Sequence, residues 1–263
     1  MSRILHLSDL HFGRERPELE APLLAEIDRL APDLVAISGD FTQRARISQF
    51  ERARAFLGRI GARVLAVPGN HDTPLDNLFV RMLWPWARYR AAIARDLEPR
   101  YCDDRIAVVG VNTVNRFAWQ RGRISSRAVG RVCAAFEDAG DRVRILVLHH
   151  PLEHGPDIDK RLMRGARGAL AEFESCGADL VLSGHLHNLR TTPFAAAPGL
   201  LFVQAGTGLS TRLRGEPNTF NLLDVSRQSV RITTFGAESD AFETVGEIGF
   251  YREGRAWRQA PSP

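Results

Sequence analysis

The sequence predicts an α/β sandwich with buried parallel strands. Short apolar segments alternate with longer segments in which apolar residues recur at helical spacing. Such alternation is typical of proteins in which helices cover a mainly parallel sheet. The 263 residues are 44% hydrophobic and 25% charged, which is enough apolar material to bury the core of one large domain.

Six apolar segments predict the strands of the first two thirds of the chain, at residues 3–8, 33–38, 63–67, 105–111, 143–148 and 179–183. Helices are predicted between them at 18–30, 48–60, 126–139 and 161–176. In the first of these helices Leu23, Leu24, Ile27 and Leu30 share one face. Ser48, followed by Glu51, predicts a capping box at the start of the second.

The last third of the chain changes character. Short β-type runs at 188–194, 200–204, 219–225 and 230–235 are separated by Gly, Pro, Ser and Asn, which predicts a second, largely antiparallel sheet. We expect one domain over residues 1–252, and a frayed tail over 253–263.

Charge and hydropathy exclude several classes of protein. The net charge is only +4, and no basic block alternates with stacking aromatic residues, so no stable nucleic-acid complex is expected. No apolar run approaches the ~18 residues that span a membrane, and no signal peptide is recognised. Three cysteines, Cys102, Cys133 and Cys176, are far apart and odd in number, so neither a disulfide nor a thiolate site is expected. A reducing, cytoplasmic location is therefore predicted.

All eight histidines lie in or beside five polar motifs, and each motif follows a predicted strand. The motifs are Asp9-Leu10-His11, Gly39-Asp40, Gly69-Asn70-His71-Asp72, His149-His150-Pro151 and Gly184-His185-Leu186-His187. Imidazole, carboxylate and amide oxygen suit borderline and hard divalent cations. Since the carboxyl ends of parallel strands build the sites of open α/β folds, these motifs predict one metal site with hydrolytic chemistry.

Local spacing divides the roles within the motifs. Side chains two positions apart in extended backbone point the same way, so Asp9 and His11 are expected to bind one ion together. Asp40 is the candidate to bridge two ions, because a carboxylate has two oxygens to share. Adjacent side chains diverge, so if Asn70 is a ligand then His71 faces the substrate.

The five motifs together resemble the pattern of the calcineurin-like metallophosphoesterases over roughly residues 1–225. The resemblance implies a four-layer α/β/β/α sandwich and a centre of two divalent ions, Mn²⁺, Fe²⁺/Fe³⁺ or Zn²⁺. It implies that Asp9, His11, Asp40 and His187 hold the first ion, and that Asp40, Asn70, His149 and His185 hold the second. It also implies phosphodiester hydrolysis by a metal-bridging hydroxide, with His71 as the acid that protonates the leaving group and Asp72 orienting it.

A segment inserted after the third motif, at about residues 74–100, is both apolar and arginine-rich. It predicts either an amphipathic helix kinked at Pro85 or a lid over the metals, which would also allow peripheral contact with a membrane. Side chains expected to meet the substrate are His150, Arg81, Trp84, Arg212 and Arg214.

Two substrate classes stay open. The motifs look most like those of bacterial class III cyclic-nucleotide phosphodiesterases, which implies a small phosphodiester or nucleotide substrate. The alternative is a UDP-2,3-diacylglucosamine pyrophosphohydrolase, which the apolar insertion favours but the histidine of the third motif does not. A nuclease subunit or a non-catalytic scaffold fits less well, because no ligand is missing and the chain leaves no room for a DNA-binding extension.

Overall fold

Two sheets form the centre of the protein. A computed structural model describes residues 1–155, 158 and 160–261. The strands are β1 (Ser2–Leu7), β2 (Leu34–Ile37), β3 (Val64–Ala66), β4 (Arg100–Cys102), β5 (Ile106–Val111), β6 (Val143–Leu148), β7 (Leu180–Ser183), β8 (Arg190–Phe194), β9 (Ala197–Gln204), β10 (Thr219–Val225), β11 (Ser229–Glu238), β12 (Ala241–Glu253) and β13 (Ala256–Gln259). The helices are α1 (Glu20–Leu30), α2 (Ile47–Leu57), α3 (Leu78–Leu83), α4 (Ala87–Ala92), α5 (Ser126–Glu137) and α6 (Ala166–Ser175).

The first sheet has the order β13-β12-β11-β10-β1-β2-β3, and the second has the order β4-β5-β6-β7-β9-β8. Strands β1, β2 and β3 are parallel, as are β5, β6, β7 and β9. The prediction that the last strands form a separate antiparallel sheet is wrong. Instead β10 pairs antiparallel with β1, from Ser2 opposite Val225, and extends the first sheet, while β8 and β9 extend the second.

Alternating side chains place the two sheets face to face between layers of helices. In β1, Leu5 and Leu7 pack with α1 and α2 on the outer face, whereas Ile4 lies in the core between the sheets. Helices α5 and α6 cover the outer face of the second sheet. Both faces of each central strand are therefore apolar, which explains the continuous hydrophobic runs and confirms the four-layer α/β/β/α sandwich.

Two helix starts differ from the prediction. Helix α2 begins at Ile47, and Arg46 is its N-cap. The capping box expected at Ser48 does not form. Instead the Gln49 side chain accepts hydrogen bonds from the backbone N–H groups of Arg44 and Arg46. Helix α6 begins only at Ala166, not at 161.

The insertion forms two short helices rather than one kinked helix. Helix α3 ends at Leu83, and Trp84 leaves the helical region at φ −134° and ψ 53°. The ring of Pro85 disfavours helical backbone at the residue before it, so Trp84 is where the chain turns toward α4.

Two further expectations are wrong. The predicted tail is ordered as far as residue 261: β13 pairs with β12, and the Trp257 indole is 2% exposed and donates to the Asp179 carbonyl. The last two residues, 262 and 263, lie outside the described residues. Cys133 of α5 and Cys176 after α6 form a disulfide with a Cα–Cα distance of 5.5 Å, because the two helices pack side by side on one sheet.

Within the described part of the chain, no helix has the length and apolar character needed to cross a membrane.

Candidate metal centre

The five motifs meet at the carboxyl ends of β1, β2, β3, β6 and β7. Backbone hydrogen bonds join their loops directly: Asp9 N donates to Gly39 O at 3.0 Å, and His11 N donates to Asp40 O at 3.0 Å. Gly184 N donates to His149 O at 3.2 Å within the second sheet, and His185 N donates to Asp9 Oδ2 at 3.0 Å, which joins the motifs of the two sheets. The predicted convergence follows from parallel strands ending at one edge.

Strained backbone is concentrated on the candidate ligands. Five of them have positive φ angles, namely Asp9 (54°), His11 (50°), Asp40 (54°), His185 (75°) and His187 (61°). Left-handed backbone costs a non-glycine residue roughly 1–2 kcal/mol, so the surrounding hydrogen bonds must hold these residues in place. Asp9 and His11 thus come together through adjoining left-handed turns, not through the extended backbone that we expected.

Glycines let these loops approach each other. A Cβ at Gly69 would lie 2.1 Å from Asp40 Oδ1, and one at Gly184 would lie 1.8 Å from Ser8 Oγ. At Gly39 a Cβ would come within 2.8 Å of His149 Nδ1. The motif glycines are therefore needed because any side chain would push the ligands apart.

Asp9, His11 and His187 form the first group of donor atoms. Asp9 Oδ1 lies 3.1 Å from His187 Nε2 and 3.5 Å from His11 Nε2, and the two imidazole nitrogens are 3.2 Å apart. Two ligand atoms on one tetrahedral ion, with bonds of about 2.1 Å, are about 3.4 Å apart. The group therefore has the spacing that a single cation requires.

Asp40, Asn70, His149 and His185 form the second group. His149 Nε2 lies 3.1 Å from Asn70 Oδ1 and 3.4 Å from Asp40 Oδ2. The His185 ring packs edge-on against His149 with 5.1 Å between centroids. Asp40 Oδ2 is also 3.7 Å from His11 Nε2, so this one oxygen faces both groups.

In each carboxylate one oxygen accepts hydrogen bonds from the protein, and the other faces the candidate metal centre. Asp40 Oδ1 accepts from His71 N at 2.8 Å, and Asp9 Oδ2 accepts from Ser8 Oγ and His185 N. That leaves Asp40 Oδ2 and Asp9 Oδ1 for the centre, and Asp9 Oδ1 is buried without a hydrogen-bond donor. Such an orphan oxygen is costly unless a cation binds it.

Two imidazoles are oriented by carbonyl oxygens. His149 Nδ1 lies 2.7 Å from Ser38 O, and His187 Nδ1 lies 2.9 Å from Arg212 O. A carbonyl only accepts, so Nδ1 carries the proton in each ring and the lone pair of the neutral ring is on Nε2. Both rings are thus held in the tautomer that presents Nε2 to a metal.

The electrostatics of the cluster favour ionised carboxylates. Burial raises the pKa of Asp9, but the charge of His187 and the close approach of the His11 and His187 imidazoles hold that pKa well below its usual range. For His149 burial lowers the pKa, and Asp40 outweighs this and raises it to about 9. Binding a metal through Nε2 requires the neutral His149 imidazole, so metal binding would release the proton from Nε2.

A family profile described as calcineurin-like phosphoesterase matches residues 2–189, which include all five motifs. The chain belongs to this family.

Three curated relatives of this phosphoesterase are by name two phosphodiesterases and a pyrophosphatase. A glycerophosphodiester phosphodiesterase of Enterobacter lignolyticus is 27% identical over 209 residues, 74% of each chain. A UDP-2,3-diacylglucosamine pyrophosphatase of Chlamydia trachomatis is 36% identical over 73 residues, 27% of this chain and 22% of the relative. A probable cyclic nucleotide phosphodiesterase of Synechococcus is 32% identical over 54 residues, 20% of this chain and 21% of the relative.

Two solved structures show the same fold. A purple acid phosphatase from yellow lupin (Lupinus luteus) has a TM-score of 0.72 at 13% identity, covering 97% of this chain; the chain spans 54% of that protein. A dimetal phosphatase from Danio rerio has a TM-score of 0.68 at 13% identity, covering 93% of this chain and 98% of the other. Together with the family match and the relatives, the chain is a metal-dependent phosphoester hydrolase, and the family uses a dinuclear centre of divalent ions.

The His71 imidazole of this phosphoesterase packs edge-on against His11 of the first group, with 4.9 Å between centroids, and its own nitrogens bond to other residues. Its Nδ1 donates to Gln43 O at 2.7 Å, and its Nε2 lies 3.3 Å from Arg212 Nη1. The prediction that Asp72 orients His71 is wrong. The Asp72 carboxylate is buried and accepts from the backbone N–H groups of Phe41, Thr42 and Gly69, so it joins two motif loops, while the Gln43 carbonyl orients the imidazole.

His150 is engaged within the protein and does not turn toward a substrate. Its Nδ1 accepts from Thr113 Oγ1 at 2.8 Å, and its Nε2 donates to Gln120 O at 3.0 Å. Both nitrogens are thereby used, so the expectation of a substrate contact is not supported. Its ring still packs on His185, with 4.6 Å between centroids.

The other predicted substrate residues divide between the site and the scaffold. Arg212 contacts His71 and so reaches the site. Arg214 is exposed. Its charge, together with the burial of Lys160, lowers the pKa of that lysine. Trp84 is 59% exposed and packs edge-on against Phe79. Arg81, expected to bind substrate, is instead 4% exposed and bonded to backbone carbonyls.

Two cavities border the centre. The His71 cavity, of ≈ 330 Å³, is lined by Gln43, Arg44, Arg46, His71, Leu75, Asp76, Trp119 and Arg212. The His185 cavity, of ≈ 210 Å³, is lined by Gln120, Arg121, Gly122, His150, Pro151, His154, Lys160, Arg161, Met163 and His185. A larger cavity, of ≈ 570 Å³, lies beside Arg144, Asp179 and Arg252 and contains no motif residue, so size alone does not locate the site.

Sequence reasoning missed Gln43 and Trp119 as residues of the site. Gln43 acts through its backbone carbonyl, which no sequence pattern reveals. Trp119 lies in a stretch between β5 and α5 that carries no motif, and only the tertiary structure brings it beside His71.

Proposed function

We propose that this phosphoesterase is a phosphodiesterase that uses two divalent ions to hydrolyse small phosphodiesters. The observation that carries the proposal is the shared oxygen, Asp40 Oδ2, which faces His11 of one donor group and His149 of the other. A carboxylate shared between two groups of nitrogen and oxygen ligands is the arrangement that a two-metal hydrolase requires.

The residues present fit the two ions. Asp9, His11, Asp40 and His187 would hold one, and Asp40, Asn70, His149 and His185 would hold the other. Mixed nitrogen and oxygen ligands without thiolate suit Mn²⁺, iron or Zn²⁺. When bound, the ions supply a water of lowered pKa and offset the negative charge of the phosphate.

His71 has the position of a proton donor. Gln43 O occupies its Nδ1–H, so a second proton would lie on Nε2, on the side of the His71 cavity. The attacking water first loses one proton to solvent; its oxygen bonds to phosphorus, the bond from phosphorus to the leaving oxygen breaks, and that leaving oxygen takes the proton from Nε2. The neutral ring that remains can accept from Arg212, as it does in this structure.

Arg212 contacts two residues of the candidate site, His187 and His71. Its carbonyl orients His187, and its guanidinium lies at His71. We propose that the guanidinium moves from His71 to a phosphate oxygen when substrate binds, because a protonated imidazole and a guanidinium repel each other.

The substrate that the site fits best is a small diester. Cavities of ≈ 330 and ≈ 210 Å³ are near or below the lower limit of roughly 300 Å³ for drug-sized ligands, and arginines line both of them. The relative that matches over most of both chains is named a glycerophosphodiester phosphodiesterase, and a shorter match is named a probable cyclic nucleotide phosphodiesterase. A cyclic nucleotide or a glycerophosphodiester is therefore the proposed substrate class.

A second candidate rests on the insertion. Leu78, Phe79, Met82, Leu83 and Trp84 are all between 41% and 65% exposed, and an exposed apolar surface of this kind suits acyl chains or a membrane surface. The relative named a UDP-2,3-diacylglucosamine pyrophosphatase agrees with this reading over a short segment. If it is correct, replacing Trp84 and Trp86 with Ser raises the KM for that lipid and leaves small diesters unaffected.

Parallel assays separate these candidates. Protein reconstituted with Mn²⁺ is incubated with bis-p-nitrophenyl phosphate, p-nitrophenyl phosphate, cAMP, glycerophosphoethanolamine and UDP-2,3-diacylglucosamine, with Asp40→Asn as the control for contaminating activity. We expect turnover of the small diesters that exceeds turnover of the monoester. Turnover of the diacylated nucleotide alone would replace the proposal with the second candidate, and turnover of the monoester alone would overturn both.

A further inference from the structure

The loop from Thr113 to Arg123 is an exposed segment that is nevertheless held at several points. Its base is closed by Arg123 N donating to Thr113 O at 2.8 Å. Near its end Trp119 is 63% exposed and lines the His71 cavity, while Gln120 and Gly122 line the His185 cavity. The loop therefore lies at both cavities that border the metal centre.

Arg81 anchors this loop from the side of the insertion. Its Nε donates to Arg116 O at 2.9 Å, and its Nη2 donates to Ala118 O at 2.7 Å. The third nitrogen, Nη1, donates to Thr73 Oγ1, and Thr73 directly follows the third motif. The same guanidinium lies 5.9 Å from the centroid of the Trp119 ring.

His150 anchors the loop from the side of the metal ligands. It bonds Thr113 at the base and Gln120 beyond the indole. Gly122 packs against the same ring, because a Cβ there would lie 2.5 Å from His150 Cγ. An exposed indole with both of its flanks fixed in this way keeps one position without being part of the core.

An exposed tryptophan that is held in place at a cationic cavity suits a planar ligand. Stacking of a nucleobase on an aromatic ring strengthens binding roughly 5- to 150-fold, and Arg81 behind the indole limits the entropy lost when a base stacks on it. A glycerol or ethanolamine group has no flat face and would gain little from the same surface. His71 and Arg212 in the same cavity place the reacting phosphate end of such a ligand nearby.

We propose that Trp119 is the platform on which the nucleobase of a nucleotide substrate stacks, and that Arg81 is the positioning residue that holds it. This inference rests on the proposed function and narrows it, because it selects nucleotide diesters over glycerophosphodiesters.

The test compares two ligands that differ only in the base. Binding of 5′-AMP and of ribose 5-phosphate to the Mn²⁺-reconstituted protein is measured by calorimetry, so no turnover is needed. Trp119→Ala should weaken 5′-AMP binding about tenfold and change ribose 5-phosphate binding less than twofold, and Trp119→Phe should restore most of the loss. The matched control is Phe117→Ala, which removes a 65% exposed ring of the same loop that does not line the His71 cavity and should change neither ligand.

Arg81→Gln tests the anchor. It should produce the same loss, specific for 5′-AMP, and the double variant with Trp119→Ala should bind no more weakly than Trp119→Ala alone. Equal losses for both ligands, or no loss, in Trp119→Ala would overturn the role of Trp119 as the platform. The same results in Arg81→Gln, or additive losses in the double variant, would overturn the role of Arg81 as the positioning residue. Failure of the proposed function is distinguishable, since it would appear as absent diester hydrolysis whatever the binding result.

Discussion

Replacing Asp40 with Asn removes the one charge that both donor groups share and keeps the shape of the side chain. Asp40 Oδ2 lies 3.7 Å from His11 Nε2 and 3.4 Å from His149 Nε2, so each ion would lose its common ligand. The amide can still accept from His71 N through Oδ1, which means that the loop contact is retained.

The size of the effect follows from linkage between metal binding and folding. At a Mn²⁺ concentration ~100-fold above Kd, each site stabilises the native state by ~2.7 kcal/mol, or ~5.4 kcal/mol for two sites. Unfolding a chain of 263 residues carries an entropy of about 0.55 kcal/mol/K, so the metal should raise Tm by about 10 °C. If the loss of a charged ligand weakens each site ~100-fold, the stabilisation falls to ~0.8 kcal/mol and the shift to about 1.5 °C.

Calorimetry with and without Mn²⁺ measures this directly, and metal analysis gives the stoichiometry. Because each variant is compared with its own metal-free form, any change in intrinsic stability cancels. Asp141→Asn, at a side chain that is 91% exposed, is the matched control and should keep the full shift. An undiminished shift in Asp40→Asn, or one ion per chain in the active protein, would refute a centre built on a shared carboxylate.

Two other predictions concern the leaving group and the disulfide. His71→Asn should retain both ions yet lose ~10²–10⁴ in kcat on an alkyl diester and far less on a nitrophenyl diester, whose leaving group departs without a proton; equal losses would exclude the acid role. Since the Cys133–Cys176 link joins residues 43 positions apart, replacing both with Ala should lower the free energy of unfolding by ~4 kcal/mol and Tm by about 7 °C. Cys102→Ser should have no such effect, and a count of three thiols in unreduced, unfolded protein would contradict the link.

Residues that act through neighbours in space show the limit of local reasoning. Asp72 and His71 are adjacent in sequence, yet the Asp72 carboxylate turns toward the backbone of the second motif, and Gln43 orients His71. Arg81 appeared as a substrate contact because it lies in an apolar and basic segment; burial converts it into an anchor for the loop of Trp119. In each case at least one deciding partner lies roughly 30 or more residues away, so spacing along the chain carries no information about that contact.

The sequence by itself determined where the central strands lie and which residues form the candidate metal site. Strands buried on both faces need apolar residues at every position, and parallel strands bring their ends to one edge, so the motifs had to meet there. The five motifs likewise specify the ligand chemistry, because imidazole, carboxylate and amide donors each prefer particular classes of metal ion.

Only the tertiary structure decided how the last strands join the two sheets, that Cys133 meets Cys176, and that Trp119 lines the same cavity as His71. Pairing of β10 with β1 joins segments more than 200 residues apart, and its register is set by packing between the two sheets. Such contacts depend on the summed packing of the whole chain, because the free energy of any one pairing is small compared with the entropy lost in forming it.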